Sequence, residues 1–292
     1  MNRRATAVNT VALTTIRALA LLMIALLVYL VGYLLVHGAS ELLSLDFYRK
    51  PPNTGGPGGG IGPQLFNTVY ILVLSMILTV PVGLLAGIYF AEYAGTGRFV
   101  NAIRRATETL ATLPSIIVGL FGYSLFVQAT GSHPSRLAAA LSLLVINLPY
   151  AVRVTEDALR NVPQSLREGS FALGATRWET ITRVLIPAAL PGLITGVILI
   201  AGRAFGEAAA ILFAGAAGSI TGHGNYSLDP MLAGDTLAVN LYQFRIQADP
   251  GVVTDAGRYA DGIAALLVVL VLAFNISARA LGRATVRRLQ GV

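Results

Sequence analysis

Long apolar runs separated by short polar segments set the pattern of the chain. They lie near 18–36, 65–90, 110–129, 137–152, 185–217 and 263–280. Each is close to or beyond the roughly 17–25 residues that a helix needs to cross a hydrocarbon core of about 30 Å. The pattern predicts an all-α integral membrane protein with six transmembrane helices and both ends of the chain on one side. Arg3 and Arg4 precede the first run, as in a signal peptide, but that run is too long for a signal-peptide core and is read as an uncleaved span. Pro81, Pro114, Pro149 and Pro191 fall at or inside the runs, where neighbouring helices would have to satisfy the freed carbonyls. The fifth run also contains Arg203 and Glu207. Charge at membrane depth costs about 2.5–3.5 kcal/mol per group on insertion scales, so these two residues need an explanation.

Composition agrees with a membrane protein. Of the 292 residues 55% are hydrophobic and only 12% charged, about half the charged share of a soluble domain. With no Cys, the chain has no disulfide, thiolate ligand or thiol nucleophile. Its three His, at 37, 133 and 223, are too scattered for a metal site. The net charge of +7 would suit nucleic acid were it not sorted by membrane side. Fifteen cations against six acids lie on the side of the termini, and five against seven on the other. Positive charge collects on the cytosolic side of membrane proteins, so the termini are expected there.

The loops add detail. The glycine-rich 53–63 lacks the strand–loop–helix setting and Lys of a phosphate cradle, and reads as a flexible external connector. A second external segment, about 218–261, carries five Asp and two Arg. Its AVNLYQFRI stretch is apolar enough to lie on the membrane surface. The longest cytosolic loop, 161–187, contains two capping boxes, Ser165 with Glu168 and Thr176 with Glu179. Gly174 lies between them, where a helix end favours a residue that tolerates positive φ. A helix, a sharp turn, a second helix and entry into the fifth span at Pro187 are expected.

Within that loop, Glu168, Gly174, Val184, Ile186 and Pro187 occupy relative positions 1, 7, 17, 19 and 20. This spacing resembles the Glu-Ala-Ala loop of type I ABC importer permeases, with Gly169 and Ser170 in place of the two Ala. The resemblance implies that Glu168, Gly169, Ser170, Gly174 and Ala175 couple the permease to an ATPase. AGIYFAEYAG (86–95), LPSIIVGLFGY (113–123), SLREGSFALGATRW (165–178) and GRAFGEAAAILF (202–213) extend it to the PstA permeases of bacterial phosphate importers. That family implies a heterodimer with a PstC-like permease, two PstB-like ATPase subunits, a PstS-like phosphate-binding protein, and a multi-pass position in the bacterial inner membrane. It divides the chain into an N-terminal tail, first helix and external loop (1–61), a permease domain (62–282) and a basic tail (283–292). Lys50, the sole Lys, is followed by Pro51, so the chain has no P-loop. No cofactor is expected on this chain; ATP would be bound by the partner ATPase, and the permease would catalyse no bond change.

Arg203 and Glu207, four residues apart, would share a helix face with Gly192 and Gly196 along a gap, while Gly202 and Gly206 would pack on another helix. Arg203 is expected to meet a travelling oxyanion through its planar fork of donors, with Glu207 holding the guanidinium in place. An ion pair that merely neutralises itself is the structural alternative. Arg153, after Pro149, is the second pathway candidate, although an Arg at the inner end of a span also serves as an anchor. Ser115 and Thr68 each put a hydroxyl in a span and complete the set. Rival readings are a permease for molybdate, sulfate or a peptide, and an ATP-independent carrier or anion channel, which would not need the coupling loop. A membrane enzyme is disfavoured, because no cluster of catalytic groups lies at membrane depth.

Overall fold

The computed structural model describes residues 3–53, 59–95, 97–216, 226–247 and 255–290, with side chains from 8 to 284. Among them there is no strand; the chain is a bundle of helices. Helix α1 (Arg3–Leu42) presents apolar residues such as Leu21, Leu22 and Met23 on its surface. It is joined to the bundle near its end, where buried Glu41 receives Arg258 at 2.7 Å. The short α2 (Leu45–Arg49) turns the chain towards α3 (Gly62–Ile88). Residues 54–58 of the glycine-rich connector and residues 218–225 and 248–254 of the 218–261 segment lie outside the described residues.

Helix α3 continues through a π-helical turn to Tyr93, spans the bundle, and makes its closest approach to α6 (Arg136–Arg160). The reason is in the sequence. Gly83 faces Ala151 and Gly87 faces Thr155, and a Cβ on either glycine would overlap its neighbour. Small residues at four-residue spacing let two backbones touch where lipid gives no hydrophobic push. Gly83→Val is therefore expected to force the helices apart, a strain of about 1–3 kcal/mol by overpacking. Thermal unfolding of the detergent-solubilised chain measures it, and an unchanged midpoint would contradict this packing.

The third apolar run is not a straight span. Helix α4 (Arg98–Thr112) and the segment from α5 (Ser115–Tyr123) through Gln128 meet at 103°. Pro114 marks the corner: Leu113 before it is extended, at φ −65° and ψ 137°, the conformation that the proline ring favours in its neighbour. Among the described residues, the expected six spans are thus five long apolar helices plus this bent pair taken as one span. Pro81, Pro149 and Pro191, by contrast, lie inside continuous helices.

After α6, α7 (Gln164–Ala172) and α8 (Arg177–Thr180) form a hairpin, and α8 runs through a π-helical turn into α9 (Ile186–Phe205). The fifth run then breaks. Gly206 to Ala208 are non-helical before α10 (Ala209–Ala214). Helix α9 packs antiparallel on α6: Gly192 meets Ala158, Gly196 meets Val154, and Arg203 reaches Tyr150. The Gly192/Gly196 face therefore lines a tight seam and not the expected gap. Gly206, expected at a packed face, has no side chain close to it.

The AVNLYQFRI stretch also differs from expectation. It lies in α11 (Leu237–Tyr242) and a following π-helical turn, and its Val239, Asn240 and Gln243, with Leu237 just before it, are fully buried. Burial against α3 and α12 (Ala256–Gln290), where Phe47, Ile61 and Tyr259 complete one core, removes more apolar surface from water than the membrane surface would. Buried Arg136 braces this segment: its guanidinium lies over Phe66 and Tyr70 and donates to the Ser227 and Asp229 carbonyls.

Candidate pathway and coupling sites

Arg203 stands in the last turn of α9, just before the break, with its side chain exposed on the chain surface. A cation is favoured there, because the last carbonyls of a helix carry partial negative charge. The guanidinium carbon lies 4.1 Å from the centre of the Tyr150 ring, a stacking that fixes the planar fork without consuming its donors. Tyr150 is held in turn, its hydroxyl donating to the Ala111 carbonyl at 3.1 Å. It also forms part of the wall of a cavity of about 570 Å³ between α4 and α6.

That wall is heavily charged. Arg104, Arg153 and Arg160 face Glu108, Glu156 and Asp157. Glu156, almost fully buried, accepts from Arg104 at 2.6 Å and Arg160 at 2.8 Å. Arg153 is more exposed and lies 3.8 Å from Asp157, a loose pair that leaves its donors available.

The other candidates lie outside this wall. Glu207, half-buried in the α9–α10 break, makes no ion pair with Arg203 among the described residues; its N–H donates to the Ala204 carbonyl at 3.3 Å. The expected pairing required an unbroken helix, and α9 ends at Phe205. Ser115 is the half-buried first residue of α5. Thr68 is buried, donating to the Gln64 carbonyl at 2.7 Å and accepting from the Leu237 N–H at 2.9 Å, which ties α3 to α11. Tyr150 is the residue that sequence reasoning missed. Its signal is a ring beside Pro149 and three residues before Arg153, within reach of the arginine on the neighbouring helix.

The 161–187 segment forms the expected helix, turn and second helix with one correction. Thr176 and Glu179 make a complete capping box. Ser165 and Glu168 do not, because Pro163 occupies the N-cap position of α7 and puts Ser165 inside the helix. Gly174 turns the chain at φ +82°, with open space where a Cβ would be. Glu168 and Gly169 are exposed on α7. Ser170 hydrogen-bonds Thr180 at 2.9 Å, and the Ala175 N–H donates to the Ser170 carbonyl at 3.2 Å, closing the hairpin. Leu173, beside the turn, is 90% exposed, and Phe171 and Trp178 of the same hairpin are exposed as well; exposed large apolar side chains of this kind suit a protein contact.

Arg167 roots the hairpin in the bundle. It pairs with Glu92, at the end of α3, at 2.9 Å and donates to the Leu159 and Val162 carbonyls. Arg167 therefore ties α7 to both the end of α3 and the end of α6. Gly174→Val would force a β-branched residue into left-handed backbone, at about 1–2 kcal/mol or more. It is expected to weaken coupling between ATP hydrolysis and uptake in the reconstituted complex, and normal coupling would contradict the role given to this turn.

Comparison with known proteins places these features. Residues 79–291 match the family described as binding-protein-dependent transport system inner membrane component. The probable ABC transporter permease protein YqgI of Bacillus subtilis is 43% identical over 92% of this chain and 93% of its own length. The phosphate transport system permease protein PstA of Haemophilus influenzae is 35% identical over 81% and 80%. Among solved structures, a bacterial alginate ABC transporter superposes with a TM-score of 0.61 at 15% identity, covering 98% of this chain and 96% of that chain. The inward-facing MetNI methionine ABC transporter gives 0.57 at 22% identity over 76% and 94%. At those identities the superpositions bear on the fold alone. The family match, the relatives and the helical architecture agree: the chain belongs to the binding-protein-dependent transport system inner membrane components, as a multi-pass permease subunit of an ABC importer.

Proposed function

We propose that the chain is a PstA-type permease that carries inorganic phosphate into the cell. The observation that carries this reading is Arg203, an exposed, ring-stacked guanidinium at a break in a membrane helix. Discontinuous helices at membrane depth are where transporters place ion sites. Phosphate bears between one and two negative charges near neutral pH, and Arg matches its oxygens with paired donors while never losing charge. Arg153 is the second anion contact, on the cytosolic side. Glu207 keeps the route from becoming a purely positive trap, since a carrier must bind weakly enough to release. Ser115, beside the Pro114 corner, offers a hydroxyl to the passing anion. Thr68, its hydroxyl already engaged, holds the external segment in position.

The orientation follows the charge asymmetry, with both termini in the cytosol of a bacterial cell and the 226–247 segment outside. A PstC-like permease encloses the route with this chain. Two PstB-like ATPase subunits bind ATP and grip the α7–α8 hairpin through Leu173, Phe171 and Trp178, and a PstS-like protein delivers phosphate from outside. This chain binds no cofactor and changes no covalent bond. Support for phosphate comes from the PstA relatives together with Arg203.

The test is uptake of labelled phosphate by the complex in proteoliposomes, with competing anions. Inhibition by arsenate but not by sulfate or molybdate is expected. Competition by sulfate or molybdate as strong as by phosphate itself would transfer the assignment to another oxyanion.

A further inference from the structure

A second groove, of about 490 Å³, lies between α9 and α12, away from the seam that holds Arg203. Its walls are Pro191, Ile194 and Ile198, and Arg279 and Arg283 stand at its edge. The two arginines are one turn apart on α12, both exposed, and neither has an acidic partner among the described residues. Gly282 between them lets Ile194 lie directly against the helix. Thr195, the remaining polar side chain, donates its hydroxyl to the Pro191 carbonyl at 2.8 Å. Arg283 also donates its Nε to the Arg279 carbonyl at 3.3 Å, so the polar capacity of the groove is the Arg279 guanidinium and the terminal nitrogens of Arg283, which only donate, beside an apolar trough.

We infer that this groove is a binding site for an anionic phospholipid of the cytosolic leaflet, with its phosphodiester on Arg279 and Arg283 and an acyl chain along Pro191, Ile194 and Ile198. A free anion would need polar groups around its other oxygens, and the walls supply none. A lipid brings its own apolar side to the wall and its charge to the rim. The level fits: the apolar run of α12 ends near residue 280, so the guanidiniums lie where hydrocarbon gives way to headgroups. Basic pockets between membrane helices on the cytosolic side recognise such headgroups. The inference rests on the orientation proposed above and not on the nature of the transported solute.

Native mass spectrometry of the full chain, purified with its partner permease, tests it. The delipidated sample is titrated with mixed micelles of phosphatidylglycerol and phosphatidylethanolamine. The wild type should retain phosphatidylglycerol selectively, and Arg279→Gln/Arg283→Gln should weaken retention about 30-fold, the equivalent of about 1 kcal/mol for each arginine. Ile194→Trp, which fills the trough and keeps both cations, should also lose the lipid. Arg17→Gln, on α1, should not. Equal retention by the wild type and both groove variants would overturn the site. So would displacement of the lipid by millimolar inorganic phosphate that then binds the delipidated chain, which would make it a free-anion site. A failure of phosphate uptake leaves this readout untouched, so the two proposals fall separately.

Discussion

Replacing Arg203 by Gln is expected to abolish phosphate uptake while the complex still assembles. Gln keeps a planar group with donors but loses the charge and half of the fork. A hydrogen bond to a charged group contributes about 1.5–3 kcal/mol, so losing the paired contact should lower uptake on the order of 100-fold. Assembly should survive because the side chain is exposed and rests on one face of Tyr150, with no buried partner left uncompensated. Lys at this position should recover less than the charge alone would suggest, because an ammonium offers no flat face to the ring and no fork to the anion. Initial uptake rates in proteoliposomes, normalised to co-purified partner subunits, give the measurement. Full transport by Arg203→Gln would remove the residue from the mechanism.

Arg167→Gln should have the largest effect on the folded state. The Arg167 and Glu92 side chains are only 12% and 11% exposed, and two backbone carbonyls accept from the same guanidinium. Removing the cation strands a carboxylate in that pocket, at about 3–5 kcal/mol. The loss should appear as a lower unfolding midpoint and as ATP hydrolysis that no longer drives uptake, since the hairpin would lose its root in α3. Glu92→Gln/Arg167→Gln should regain part of the stability, because a neutral pair leaves no uncompensated charge. Additive losses in this double-mutant cycle would show that the two side chains do not act together.

The contrast between these residues shows what the sequence made legible. Positions fixed by local chemistry could be read directly. Gly174, with Thr176 and Glu179 just after it, announced a left-handed turn and a capped helix, and both are present. The neighbouring Ser165/Glu168 box failed for an equally local reason, because Pro163 starts the helix two residues early. Hydropathy found the long apolar helices but could not register that one proline bends its span while three others do not. The difference depends on whether packing neighbours hold the helix together. Pro149 sits in a helix clamped against α3, whereas Pro114 joins α5 to a helix with no buried residue. The Gly192/Gly196 stripe was visible as a narrow face, yet only the structure shows that α6 fills it. The Arg203–Tyr150 contact joins residues 53 positions apart on two helices. No spacing rule within one helix could have found it, and the i,i+4 rule pointed instead to Glu207, across a break that the apolar pattern conceals.

The central claim is that Arg203 faces water on an anion's route, and the lack of any Cys in the chain makes it directly measurable. Arg203→Cys should react, within the assembled complex, with a charged membrane-impermeant methanethiosulfonate, and phosphate should slow the reaction. Leu22→Cys, on the apolar surface of α1, should react only with a lipid-soluble maleimide. If Cys at 203 behaves like Cys at 22, or reacts at the same rate with and without phosphate in every nucleotide state, the guanidinium does not line the pathway.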